Sequence, residues 1–473
     1  MQRINQVFID GALVTPHGTE LFDLYNPAKA EVIGQVQLAD ATDAERAIAA
    51  AKRAFPTFSR SSKESRIALL RRMAAQVRAR VDDLTEALVT EYGAPVSRAG
   101  WMAHHAVNVL EDAANVLENY SFTYRAGTAD VIMTPLGVAG LITPWNSNAG
   151  FICGKLAAAL AAGCTAVVKP SEMSAIQTQI VMEALSAADI PQGVVNIVTG
   201  RGEVVGAVLS SHPDIAKVSF TGSSAVGKGI LKAGAETFKR ITLELGGKSP
   251  VVVLDDADLN VAVDQALQAG FTNSGQACIA GTRILVPEHM ATDFAARVKN
   301  AVASIQSGDP HDPQTQIGPM VSQKQWERVQ RYIRLGQEEG ATLLTGGEGR
   351  PDGTDNGWFV KPTVFADVHN DMTIAREEIF GPVLSIITYK TEEDAIRIAN
   401  DTLYGLQAYV LSSDVARAQR VANQLEAGRV AINGAPHEPA APFGGFKQSG
   451  IGREYGKNGM EAFLEPKAVL VPR

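Results

Sequence analysis

Residues 138–146 read Val138-Ala139-Gly140-Leu141-Ile142-Thr143-Pro144-Trp145-Asn146. Five residues without a charge or a polar alternation, then a Thr-Pro turn signal, describe a strand buried on both faces. The same unit recurs outward. Apolar runs at 166–169, 194–198 and 217–220 alternate with helical stretches at 154–162, 174–188 and 203–210. Unbroken apolar strands alternating with helices predict a parallel sheet covered on both faces. A second alternation begins at Val251. Strand-like runs at 251–254, 284–286, 384–389, 408–411 and 429–433 are separated by helices such as 258–270 and 323–339, so two α/β lobes fit the length. Segment 120–134 reads as an extended hairpin and 467–471 as a terminal strand. Such extensions either pair across subunits or remain ordinary edge hairpins.

Toward the N-terminus, Thr42 with Glu45 and Ser61 with Glu64 read as capping boxes that open two helices. The second continues over 66–92 to the stop signal Gly93 and Pro95, and a third covers 98–118.

The chain has 473 residues, with 43 Lys+Arg against 51 Asp+Glu, a net charge of −8, and 45% hydrophobic and 20% charged residues. That balance excludes a disordered chain, a collagen-like chain and a basic nucleic-acid binder. Three cysteines, Cys153, Cys164 and Cys278, cannot build a disulfide framework, and their odd number fits a reducing compartment. Residues 1–10 lack the apolar core of a signal peptide. The longest uncharged run, 131–154, carries Pro135, Pro144, Asn146 and Asn148, which do not belong in a membrane span. The expected location is cytoplasmic.

Seven motifs carry chemistry. Asn146, at a strand's C-terminal end, stands where doubly wound folds bind ligands, and its amide can hold an oxyanion; alone, the motif reads as a turn. Lys169-Pro170-Ser171-Glu172 follows the next strand and can meet ribose hydroxyls, or be a solvated pair at a helix start. Phe220-Thr221-Gly222-Ser223-Ser224-Ala225-Val226-Gly227 runs from a strand into a helix whose free N–H groups suit a pyrophosphate, although it is not G-x-G-x-x-G. Glu244-Leu245-Gly246-Gly247 supplies a carboxylate, and Gly275-Gln276-Ala277-Cys278 a thiol in polar surroundings, a nucleophile–base pairing. Cys153 and Cys164 read as small buried hydrophobes. Glu377-Glu378-Ile379-Phe380-Gly381-Pro382 and Pro442-Phe443-Gly444-Gly445 place aromatics in glycine-rich loops, to cover a flat ring or to pack between lobes.

In this order and spacing the motifs resemble the aldehyde dehydrogenase superfamily, from Asn26-Pro27 to Gly452-Arg453-Glu454. The resemblance implies a Rossmann-like parallel-sheet cofactor domain (1–118 and 136–244), a second α/β catalytic domain (245–446) and small β oligomerisation strands (119–135 and 463–473). It implies Cys278 as nucleophile, Glu244 as general base, and Asn146 with the Cys278 N–H as oxyanion hole. Cofactor contacts are implied at Ile142, Thr143, Pro144, Trp145, Lys169, Ser171, Glu172, Gly202, Gly206, Phe220, Gly222, Ser223, Gly227, Glu244, Leu245, Gly246, Glu378 and Phe380, with Glu454 in a proton-relay position and no metal. It also implies a homodimer or homotetramer. Glu172 favours NAD over NADP, because a carboxylate on the ribose hydroxyls repels a 2′-phosphate.

The chain departs from the family pattern at Ser147-Asn148, where many members have Phe-Pro, and at Gly154, where relatives carry an aromatic or an arginine. These changes speak against succinate semialdehyde and against a trimethylammonium substrate that needs a cation–π box. With Phe151, Ile279, Phe443 and His437 as expected substrate contacts, the reading is a roomy, largely apolar tunnel for a bulky or aromatic aldehyde. His437 reads more readily as a solvated loop residue than as a substrate contact. The alternatives are a coenzyme A-acylating relative, which a water-activating Glu244 would defeat, and a non-catalytic dinucleotide-binding protein.

Overall fold

The computed structural model describes residues 2–354 and 356–470. Residues 471–473 of the expected terminal segment, including Val471 of the predicted strand, lie outside them.

Five parallel strands form the centre of the first sheet, in spatial order Arg240–Glu244, Ile215–Thr221, Val138–Ile142, Thr165–Lys169 and Val195–Ile197. Strand order reverses between Val138–Ile142 and Ile215–Thr221, where Ile142 lies opposite Phe220. A crevice opens beyond the carboxyl ends of strands at such a switch point. Gly450–Ile451 closes one edge antiparallel to Arg240–Glu244, so the chain returns to the first lobe after the second. Val7–Ile9 and Ala12–Val14 extend the other edge.

Both faces are covered, as unbroken apolar strands require. Helices Lys63–Arg78, Val96–Glu118, Asn148–Ala162 and Ala175–Ser186 pack one face around Leu70, Met73, Leu110, Leu156 and Leu160. Helix Ala41–Phe58 packs the other around Ile48, Val205 and Leu209. In the second lobe, strands Thr363–Ala366, Val383–Tyr389, Arg283–Pro287, Pro250–Val253, Gln407–Leu411 and Arg429–Ile432 run parallel, with Thr342–Thr345 antiparallel at one edge. The predicted hairpin is Thr123–Ala126 with Ala129–Pro135, and Leu464–Val469 adds antiparallel to it within the chain.

Several local expectations are corrected. Asp40, not Thr42, caps Ala41–Phe58: its side chain accepts from the Asp43 N–H at 3.2 Å, and Asp43 accepts from the Asp40 N–H at 3.2 Å. Ser62, not Ser61, caps Lys63–Arg78. The single helix expected over 66–92 is instead Lys63–Arg78, Val81–Ala87 and a π-turn Leu88–Tyr92. That turn carries buried Glu91, which accepts from the N–H groups of Ile176 (2.7 Å) and Gln177 (3.2 Å) at the start of another helix. A small sheet of Gln2–Ile4, Glu31–Gln37 and Leu21–Asn26 was not anticipated.

Candidate active site

The loops after the switch-point strands bring the sequence motifs together. After Ile142, Thr143 donates its N–H to the Lys169 carbonyl at 3.0 Å, fixing one loop to the next strand. Asn146, at the base of helix Asn148–Ala162, donates through Nδ2 to the Gln276 carbonyl at 3.1 Å. An amide NH2 has two hydrogens, so one is left for a further acceptor.

The opposing loop carries Cys278. Helix Leu259–Phe271 ends in three consecutive left-handed residues, Asn273 (φ 56°), Ser274 (φ 57°) and Gly275 (φ 73°). Asn and Gly tolerate this region, and an alanine Cβ at Gly275 would lie 2.2 Å from the Gly381 carbonyl oxygen. The turn is pinned from every side. Asn273 Nδ2 donates to the carbonyls of Asn146 (3.3 Å) and Gln276 (3.2 Å), and Ser274 Oγ accepts from the Gly318 N–H (2.9 Å). Gln276 donates to Pro319 O (3.2 Å) and accepts from the Val321 N–H (3.0 Å). Sequence reading passed over Asn273 and Gln276 as positioning residues, although the Asn-Ser-Gly run was the available signal.

Cys278 is half-buried, while Cys153 and Cys164 are fully buried. Burial, then Glu378 and Glu244, push the Cys278 thiol up to about 12, and the Arg429 charge acts in the opposite direction. Glu244 ends strand Arg240–Glu244 at 2% exposure, and both carboxylate oxygens lack a hydrogen-bond partner. Burial and the nearby Glu454 hold its carboxyl well above the usual range. A buried carboxyl with no protein partner, beside a thiol, is disposed to act on water or substrate. Behind it, Lys155 is paired with Glu454 and donates to Ser219 Oγ (2.9 Å), which donates to Glu454 (3.2 Å).

Most of the residues expected to hold a dinucleotide follow the carboxyl ends of the switch-point strands. Lys169 Nζ meets Glu172 at 3.0 Å, and Arg201, not singled out beforehand, approaches the other Glu172 oxygen at 3.8 Å. Ser171 Oγ accepts from the Met173 N–H at 3.3 Å. A Cβ on Gly202 would meet nothing within 4 Å, and one on Gly206 only Ile142 at 4.0 Å, so both border open space. Ser223 caps helix Ser224–Ala235. Gly222 lies where a Cβ would clash with the Phe220 ring at 2.4 Å, and one on Gly227 would press on Leu245 at 2.8 Å. Thr221 Oγ1 is buried without a partner. Glu378 accepts from the Gly247 N–H at 3.0 Å, and its carboxylate would clash with a Cβ on Gly246 at 2.4 Å. Phe380, at φ 63°, stands edge-on to Trp145 at 5.5 Å. Gln325 and Arg328 fix that loop through the carbonyls of Phe380 (2.7 Å) and Glu378 (2.5 Å). Orphaned Thr221, open space at Gly202 and the Glu172 carboxylate beside Lys169 fit a dinucleotide.

On the substrate side, Phe151 and Gly154 line a narrow cleft of about 50 Å³ with Lys155, Glu454 and Tyr455. The room expected at Gly154 is bordered by Val109, 3.8 Å from where a Cβ would stand. Tyr455 contacts Phe443, His437 and His105 at ring separations of 5.8, 5.2 and 6.2 Å. His105 stacks on Trp101 at 5.1 Å and comes within 3.2 Å of a Cβ built on Gly150. Ile279 accepts from the Tyr409 hydroxyl at 2.9 Å through its carbonyl. Two histidines and Arg429 stand among these groups, and His105 and Arg429 arrive only through tertiary contacts.

The sequence profile of the aldehyde dehydrogenase family matches residues 13–469, and the chain belongs to that family. Among solved structures, mutant Aldehyde Dehydrogenase C from Pseudomonas syringae, complexed with NAD+ and octanal, is 41% identical with a TM-score of 0.97, covering 98% of this chain and 96% of that one. An aldehyde dehydrogenase of Mycobacterium tuberculosis complexed with NAD+ is 41% identical with a TM-score of 0.96, covering 100% and 99%. A Staphylococcus haemolyticus protein bearing an aldehyde dehydrogenase name is 44% identical over 470 residues, 99% of each chain.

Proposed function

We propose that this enzyme oxidises an aldehyde to its carboxylic acid, with NAD as cofactor, through a covalent intermediate on Cys278. The observation that supports it best is buried Glu244, whose two carboxylate oxygens have no protein partner, within electrostatic reach of the Cys278 thiol. NAD complexes of 41%-identical relatives support the cofactor.

Cys278, its proton passed to solvent, adds to the aldehyde carbon, and the free Asn146 hydrogen with the Cys278 N–H holds the oxyanion. Bound NAD supplies the hydride acceptor. Collapse of the oxyanion as hydride departs leaves a thioester on Cys278. Glu244 then takes a proton from water, which attacks the thioester and frees the acid. A water between Glu244 and Glu454 would pass that proton to the hydrogen-bonded group of Lys155, Ser219 and Glu454. Phe151, Ile279, Phe443 and His437 form the substrate wall, which suits a bulky or aromatic aldehyde. The strand extension, whose outer strand Thr123–Ala126 is exposed throughout, serves a homodimer or homotetramer in the cytoplasm. Among the described residues, no helix is long and apolar enough to cross a membrane. An NADH-absorbance screen over aliphatic, aromatic and charged aldehydes, run beside Cys278→Ala, tests this reading; turnover surviving that substitution contradicts it.

Two further outcomes are expected. Because Glu244 titrates well above the usual carboxylate range, its base form accumulates only as pH rises. The hydrolytic rate should therefore climb through an acid limb whose midpoint lies well above about 4.3, the ordinary glutamate value. A limb at the ordinary value, measured by steady-state rates against pH, contradicts the assignment. Separately, Glu172→Gln removes the charge facing the ribose hydroxyls and leaves Lys169 and Arg201 in place. The NAD-to-NADP ratio of kcat/KM should fall about tenfold or more; an unchanged ratio means that Glu172 does not meet the ribose.

A further inference from the structure

Arg429 opens the edge strand Arg429–Ile432, opposite Gln407 in the parallel ladder. Its Nε donates to Gln407 Oε1 at 2.5 Å and its Nη1 to His437 Nδ1 at 2.8 Å, and Cζ lies 5.1 Å from the centre of the Phe443 ring. A guanidinium has five N–H groups, so three remain unspent. Among the described residues no carboxylate comes within ion-pair distance of it. A half-buried guanidinium with three unspent N–H groups has donors available to an incoming acceptor.

The surroundings point toward the reacting centre. Phe443 and His437, the two groups Arg429 touches on this side, both flank Tyr455, which lines the cleft with Phe151 and Lys155. On the other side Arg429 acts on Tyr409, whose hydroxyl holds the carbonyl of Ile279, next to Cys278. Tyr455 itself sits at φ 62° and ψ 158°, a backbone region almost confined to glycine, so the wall facing this cation is held under strain. Strain kept beside an uncompensated charge and a reactive thiol marks a ligand-facing surface.

We propose that Arg429 is a specificity-determining residue that binds a carboxylate on the far end of a bulky aldehyde, His437 and Gln407 holding the guanidinium so that its free N–H pair faces the ligand. The inference rests on Cys278 being the nucleophile that receives the aldehyde end. A fork of two N–H groups matches a carboxylate in a way a lysine ammonium does not.

The probes are 4-formylbenzoate and its methyl ester, which share the ring and the aldehyde and differ in the charge at the far end. Wild-type enzyme should use the acid with a kcat/KM at least tenfold above the ester, the difference lying in KM. R429Q should lose at least tenfold on the acid and at least fivefold less than that on the ester, with R429K falling between for the acid. Thermal unfolding of each variant, close to wild type, separates these effects from misfolding. Equal or better use of the ester by wild type overturns the proposal, as does R429Q lowering both substrates by one factor. Failure of every aldehyde to yield NADH, or turnover that survives Cys278→Ala, overturns the underlying reading and the proposal with it.

Discussion

Glu244→Gln should release one equivalent of NADH per active site in a burst and then turn over about 10²- to 10⁴-fold more slowly than wild type. The substitution keeps shape and size. It breaks no hydrogen bond either, because neither Glu244 oxygen has a partner among the described residues. Addition of Cys278 to the aldehyde and hydride departure do not need this carboxylate; attack of water on the thioester does. The burst amplitude therefore counts acylated sites while the steady rate reports hydrolysis alone. Stopped-flow absorbance at the NADH band separates the two phases. Undiminished steady turnover, or loss of burst and steady rate together, would remove Glu244 from the hydrolytic step.

Asn146→Ala should lower kcat by about 10²- to 10³-fold with a much smaller change in KM, the pattern of a donor whose contact strengthens as the oxyanion forms. The structure lets this effect be told apart from collapse of the site. Asn146 Nδ2 spends one hydrogen on the Gln276 carbonyl, but Asn273 Nδ2 also donates there, at 3.2 Å. The left-handed turn that carries Cys278 thus keeps its anchors to Asn273, Pro319 and Val321 when Asn146 is truncated. Alkylation of Cys278 by iodoacetamide should proceed at a rate close to wild type. A less than threefold change in kcat would take the oxyanion away from Asn146.

Much of the architecture was legible because two-sided burial writes itself into composition. Strands such as Val138–Ile142 and Thr165–Lys169 are buried at every position and contain no alternation to misread. Motifs that follow such strands lie at the carboxyl ends of the sheet, so Asn146, Glu172 and Gly222, each open to a plainer reading alone, gained meaning only as an ordered set. Elements decided by distant partners were not legible. The helix expected over 66–92 breaks so that Glu91 can reach N–H groups at Ile176 and Gln177, and nothing local announces that. Asp40 displaced Thr42 as cap because two aspartates three residues apart satisfy each other's N–H groups. Arg201, His105 and Arg429 reach the site from other elements, so their sequence neighbours carry no sign of it.

The central claim is that substrate carbon becomes bonded to Cys278. Glu244→Gln enzyme mixed with an oxidisable aldehyde and NAD, quenched in acid after the burst and digested, can be read by peptide mass spectrometry. The account predicts one acyl group on the peptide containing Cys278, in an amount matching the NADH released, with Cys153 and Cys164 unmodified. A full NADH burst with Cys278 unmodified, or with the acyl group on another residue, would contradict it.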